Sequence, residues 1–320
     1  MALCLLCALR MWRAPPYART PWVIATAVTG AAALSVKWTA LVTPALVAIV
    51  SLTGHPFTKR RLASNHIVLA AITALALYTA CFWLHFRILI YSGMGDPFMK
   101  LSFQRTLIGG KNYSPNAISD GFLHNFVFLN KQMYIANKGI KARHRWESRW
   151  WQWMINMRGL LYYNELNADN KMLNEKIYLI INPVVTAVTL ASLLVFVGIC
   201  VAVFIRKRDQ SEKPTRSLNL QAFIARGSFF LAAYVLNLLP YLEVARCTFL
   251  YHYWPPLFYA LLATANMVNG IPSRRFQVYV SAGICILVFA AFLYWSPWIY
   301  ATPMSKEAHA RRRLFGKHWL

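Results

Sequence analysis

The chain has 320 residues, 58% of them hydrophobic and only 14% charged, with a mean hydropathy of +0.40, which excludes an ordinary soluble domain and identifies an integral membrane protein. The charge is lopsided: 34 basic residues against 10 acidic ones give a formal net charge of +24. Such an excess calls for anionic surroundings, either headgroups touching the Lys and Arg that flank membrane spans or an anionic substrate such as a lipid phosphate. A nucleic-acid partner does not suit a polytopic chain.

In chain order, "MALCLLCALR" has no basic n-region and only a short apolar run, so it reads as the tail end of a membrane helix rather than a signal peptide. Cys4 and Cys7 form a CxxC without a second ligand pair, and Cys81, Cys200 and Cys285 lie in apolar segments, so neither a disulfide framework nor a metal site is expected. Residues 22–52 are too long for one straight span and hold Lys37 near their middle, as two short helices or one bent one. The stretches 67–88, 177–205, 220–240, 248–269 and 276–297 are each long enough to cross about 30 Å of hydrocarbon. The expectation is an all-α polytopic protein with six or seven spans.

Two short basic connections, "HPFTKRR" at 55–61 and "RKRDQSEKPTR" at 206–216, are cytosolic by the positive-inside bias. Counting crossings from them puts the long segment 89–176 on the opposite face. The tail "SKEAHARRRLFGKHWL" falls there too, against the bias. The sequence thus divides into a transmembrane part at 1–88, a loop at 89–176, and a second transmembrane region with its tail at 177–320. In the loop, "SGMGDPFM" makes a tight turn in which Asp96 caps its own backbone, or serves as a general base if it projects into a cleft. Asn112 opens the glycosylation sequon "NYS". "HRWESRWWQWMINMRG" from 144 interleaves indoles with Arg and His, as an interfacial segment does, or as a surface helix shaping a substrate cleft does.

Several stretches taken together resemble the protein O-mannosyltransferases. They are "SVKWTAL" at 35–41, "HFRILIYSGMGDPFMKLSFQRTLIGG" at 85–110, "HRWESRWWQW" followed by "MRG", "INPVV" at 181–185, and "YVLNLLPYLEVARCTFLYHYWPPLFYALL" at 234–262. In the last, Asn237, Pro240, Arg246, Phe249, His252, Tyr253 and Pro255 all match. The resemblance implies the C-terminal portion of a GT-C-type glycosyltransferase in the endoplasmic reticulum membrane. Its donor would be dolichyl phosphate mannose, its acceptors Ser or Thr of secretory proteins, and its partner a second family member. No cofactor is implied. His144, Ser148 and Arg158 would help build the acceptor-side cleft. Two departures stand out. The adjacent acidic pair that activates the acceptor in this family has no counterpart, because the ten acids here are all isolated. The β-trefoil MIR domain of eukaryotic members is absent between 114 and 126, which resembles bacterial members, whose location would be the plasma membrane, or marks a deletion. The chain is therefore either an incomplete transferase or a non-catalytic subunit or gene remnant of the family; a transporter is disfavoured because no inverted repeat is visible.

Read as chemistry, Arg246 opens a span with Glu243 three residues before it, so the two can pair on one helical face, or Arg246 can hold a lipid phosphate oxygen. Helical spacing puts Tyr253 on the face of Arg246 and turns His252 about 120° away. His252 and Tyr253 join Arg246 as donor-phosphate candidates, or they bend and gate the helix end. Lys37, an ammonium at depth, calls for an anionic lipid head.

Overall fold

The computed structural model describes all residues except 55–60, 210–217, 245 and 320. The two basic connections named above lie largely outside the described residues. The chain divides into two compact units, and the division falls between Ala142 and Arg143, inside the 89–176 connection.

In the first unit, α1 (Ala2–Arg13), α2 (Thr20–Val36) and α3 (Val42–Thr53) precede the long α4 (Ser64–Ile88). The 22–52 stretch is thus two short helices. The break falls at Lys37, which leaves the α-region for φ −159° and ψ 127°, and one 3-10 turn, Trp38–Leu41, leads into α3. Trp38 Nε1 donates to Tyr78 Oη (3.0 Å), which donates to Asn130 Oδ1 (2.6 Å), fastening the break to α4 and to α5 (Phe122–Gly139). No residue of α4 is buried within the protein. Its exposed apolar side chains, among them Val68, Ile72, Leu75 and Leu84, suit contact with lipid, while Tyr78 and Phe82 pack against α5.

The second unit begins with one and a half turns of helix, α6 (Trp150–Met154), and an antiparallel hairpin of β1 (Leu160–Leu166) and β2 (Asn174–Leu179). It continues through α7 (Pro183–Asp209), α8 (Leu218–Leu238), α9 (Trp254–Asn269), α10 (Arg274–Trp295) and α11 (Lys306–Arg311). The helices at Ser64–Ile88, Pro183–Ile205, Leu220–Tyr241 and Arg274–Trp298 are long and apolar enough to cross a membrane. The shorter apolar helices α2 and α3, and α9, occupy the positions of the other expected spans. Helix α9 lies against α7 and α8, with Tyr259 and Ala260 fully buried. Gly227 lets α8 approach α7, since a Cβ there would stand 2.2 Å from the Phe196 ring.

Two expected boundaries change. The span placed at 177–205 begins as strand, and its helix starts only at Pro183. The reason is Asn182, whose Oδ1 accepts from the amides of Val184 (3.0 Å) and Val185 (3.4 Å) and so caps a helix with proline at its first position. The span placed at 248–269 is helical only from Trp254, after a 3-10 turn at Leu250–Tyr253. Arg246 therefore stands outside any helix, and the helical spacing used to relate it to Glu243, His252 and Tyr253 does not apply. The expectation of an all-helical chain also missed the hairpin.

The non-helical segments of this unit meet in an aromatic core of Trp146, Leu160, Tyr178, Trp298, Met304 and Trp319. Trp319 is fully buried, stacked on Trp298 at 5.5 Å, and its carbonyl accepts from Tyr178 Oη (3.2 Å). His309 is buried beside it. Its Nδ1 accepts from Trp298 Nε1 (2.8 Å), so Nε2 carries the proton and donates to the Asn174 carbonyl (2.9 Å). Burial holds this imidazole below its usual pKa against the raising effect of the Asn174 bond, and Lys176, Arg312 and Arg313 push the same way as burial.

Gly159 tests how tightly the tail is docked. A Cβ there would lie 2.4 Å from the Trp319 ring and 2.7 Å from the Leu179 carbonyl. Gly159→Ala is expected to destabilise the unit by about 1–3 kcal/mol through overpacking and to free the tail. Faster hydrogen exchange across 306–319 would show this; unchanged protection there would disprove it.

Candidate functional site

After α8 the chain turns at Pro240 in a short 3-10 segment, Leu239–Tyr241, and enters the stretch that carries Arg246. This stretch is anchored at Thr248. Its Oγ1 donates to the Ser148 carbonyl (2.6 Å), while the Ser148 amide donates to the Thr248 carbonyl (2.8 Å). Ser148 Oγ accepts in turn from Trp153 Nε1 (2.9 Å). Ser148 is 2% exposed and Trp153 fully buried, so breaking this network leaves polar groups without water to replace the partner.

Trp153 then stacks on His252, with centroids 5.9 Å apart and planes 16° apart, and meets Tyr241 edge-on at 5.1 Å. His252 Nδ1 accepts from the Phe249 amide (3.1 Å), closing the turn in which it stands. Tyr253 is buried beneath, with its hydroxyl 3.1 Å from that of Tyr234. His144 packs edge-on against Phe249 at 5.2 Å. Arg158 donates from Nη2 to the Arg145 carbonyl (2.5 Å), and both guanidiniums lie over the Trp146 ring, at 5.6 and 5.8 Å.

Two motifs a hundred residues apart thus form one assembly. Ser148 from the first and Thr248 and His252 from the second are buried in it, with the half-buried Phe249 and the exposed His144 at its edge. Arg246 projects from the same turn and is half-buried, while Glu243 is exposed. Sequence reasoning missed Trp153 and Thr248. The first was signalled only as one more indole in "WWQW", and the second had no local signal. It also missed Asn156, which takes φ 54° just beyond α6. There the Met157 amide reaches the Gln152 carbonyl (2.8 Å) and the Asn156 amide the Trp153 carbonyl (3.1 Å), the paired bonds of a Schellman ending. Asn156 Nδ2 also donates to the Ile181 carbonyl (2.5 Å), tying α6 to the start of α7.

The remaining candidates lie in the first unit. Asp96 holds its own turn: Oδ2 accepts from Ser92 Oγ (2.5 Å) and Oδ1 from the Gly93 amide (2.9 Å). It borders a cavity of about 890 Å³ that His85, Tyr91 and Asn137 also line. Lys37 is exposed at the helix break. Asn112 is exposed in a turn, with Nδ2 donating to Gln104 Oε1 (2.9 Å). Among the described residues no group of three His, Cys, Asp or Glu can hold a metal ion.

Replacing Thr248 by valine keeps the shape and removes the hydroxyl. The buried Ser148 carbonyl then loses its shortest donor, and Thr248→Val is expected to cost about 1–3 kcal/mol. Thermal unfolding in lipid nanodiscs measures it; a cost near zero would mean the tie does not hold the turn.

A family model described as the C-terminal four TMM region of protein-O-mannosyltransferase matches residues 122–319. Dolichyl-phosphate-mannose--protein mannosyltransferase 6 of Candida albicans is 24% identical over 224 residues, covering 62% of this chain and 26% of the relative. Mannosyltransferase 1 of Saccharomyces cerevisiae is 25% identical over 192 residues, covering 58% of this chain and 22% of the relative. The chain spans about a quarter of the length of the curated relatives it matches. Among solved structures, the S. cerevisiae protein O-mannosyltransferase Pmt1-Pmt2 complex bound to the sugar donor covers all of this chain at TM-score 0.80 and 15% identity, over 72% of its own chain. That likeness is one of fold, the polytopic GT-C type. The chain belongs to the protein-O-mannosyltransferase family.

Proposed function

We propose that the chain serves the transfer of mannose from dolichyl phosphate mannose to serine and threonine of secretory proteins in the endoplasmic reticulum membrane. The observation that supports this best is the Arg246 turn, which Thr248, Ser148 and Trp153 hold at the end of α8. In the reaction the acceptor oxygen attacks the anomeric carbon as that carbon's bond to the lipid phosphate breaks, and the phosphate departs with the electron pair. A guanidinium stabilises the charge that develops there. Arg246 fills that role in this reading. His252 and Tyr253 serve the donor side from beneath the turn, and His144, Ser148 and Arg158 serve the acceptor side. Lys37 is a separate candidate cation for a lipid phosphate. The yeast neighbour is a two-protein complex, and a similar pairing with a second family member is proposed here.

Arg246→Ala should weaken binding of dolichyl phosphate about tenfold to a hundredfold, the loss of one charge-assisted contact, whereas Glu243→Ala should leave it unchanged. Equal losses would make the pair structural. Both Asp96 oxygens are committed to its turn, so no residue of this chain is assigned the acceptor's proton. The purified chain alone should then transfer no mannose to a Ser/Thr-rich peptide. Transfer that falls about 10²–10⁴-fold in Asp96→Asn would instead make Asp96 the base.

The segment that carries these residues is proposed to face the lumen. In microsomes Asn112 should acquire a glycan removable by endoglycosidase, and a sequon engineered into 206–216 should not. The reverse pattern would invert the orientation.

A further inference from the structure

The first unit also holds a smaller cavity of about 380 Å³, between the end of α4 and the segment 103–125. Aromatic rings of Trp83, Phe103 and Phe122 form part of its wall, and Arg87, Asp120 and Asn125 supply polar groups. One guanidinium and one carboxylate leave the lining without net charge, which favours a neutral ligand over an ion. Its volume is at the small end for ligand sites, enough for one ring. Arg87 lies over the Trp83 ring at 5.5 Å, so its donors are already placed. Ser102 and His124 both approach Oδ2 of Asp120 (3.0 and 3.6 Å), which leaves Oδ1 for a ligand hydroxyl. Asn125 is 4% exposed; its Nδ2 donates to Ser119 Oγ (2.9 Å) and the Asp120 carbonyl (2.7 Å), and its Oδ1 accepts no hydrogen bond.

A pyranose has this two-sided character, with C–H faces for aromatic rings and hydroxyls that both donate and accept. We propose that this pocket binds a single neutral pyranose, the sugar of an acceptor that already carries mannose. The sugar class follows from the lining. Its assignment to mannosylated acceptor rests on the transfer reading above.

The test uses the full chain in phosphatidylcholine nanodiscs, free of maltoside detergent, and saturation-transfer NMR with methyl α-D-mannopyranoside. Saturation is expected, and it should fall at least fivefold in Trp83→Ala, Arg87→Gln and Asp120→Asn. Trp83 is 49% exposed and the Asp120 side chain 38% exposed, so these changes spare the packing, and unfolding temperatures should match the parent. No saturation of the parent, or saturation unchanged in all three variants, would overturn the pocket. Displacement of the glycoside by dolichyl phosphate mannose, lost in Trp83→Ala, would assign the pocket to the donor's sugar and overturn the acceptor assignment. Dolichyl phosphate binding that depends on Arg246 is measured on the same discs. If it persists without glycoside binding, the pocket alone fails; if glycoside binding persists without it, the transfer reading alone fails.

Discussion

Hydrocarbon offers no hydrogen bonds, so every peptide group inside it must be satisfied by its own helix. The second unit obeys this by collecting most of its described irregular backbone at one end. The hairpin precedes the N-terminus of α7, the Arg246 turn lies between the C-terminus of α8 and the N-terminus of α9, and the tail follows the C-terminus of α10. Alternating helices bring these ends to one face. There the unpaired carbonyls and amides of the irregular segments bond to one another, as Ser148 does with Thr248 and Asn174 with Met304. The site is a consequence of that exclusion.

The same constraint decides what the sequence can tell. Spans are legible because hydropathy is a sum over many residues, and α4, α8 and α10 fall within a few residues of the expected positions. The break at Lys37 is legible for the same reason, since a charge inside a long apolar run is costly. The hairpin escaped notice because the apolar end of β2, Ile177 to Leu179, continues through Ile180 and Ile181 almost to the start of α7, and a hydropathy window merges the two. "NEKIYL" runs three polar residues and then three apolar ones, without the alternation that marks a strand. "INP" marked the true helix start. Arg246, His252 and Tyr253 were named correctly as neighbours in sequence, yet their mutual geometry depends on Thr248 meeting Ser148 across a hundred residues. No local pattern encodes that contact.

Charge sets what the assembled face can attract. Where carboxylates are paired, the pairs are modest: Arg143–Glu147 at 3.3 Å is two-thirds exposed on its basic side, and such pairs contribute little to stability. The excess of basic residues therefore leaves positive potential in place. Around His309 it accumulates to the point that Lys176, Arg312 and Arg313 all disfavour a further proton. A face of this kind suits an anion better than a neutral ligand, whereas the small cavity in the first unit, where Arg87 and Asp120 offset each other, calls for different chemistry.

In the proposed orientation the basic tail runs against the positive-inside bias, and its packing supplies the reason it can. The bias acts on short loops as they are inserted, and it is an energetic preference of about 1 kcal/mol per cation near the surface. Against it stand the burial of Trp319, its stacking on Trp298 and its tilted contact with Tyr178, a fully buried ring contributing about 1.5–3 kcal/mol. The two directed bonds of His309 add to them, and Arg312 donates to the Tyr294 and Ala308 carbonyls at helix ends, where a cation offsets the helix dipole. The tail's location is thus set by where its aromatic and histidine side chains find partners, and the hairpin that provides them lies on the same face as the Arg246 turn.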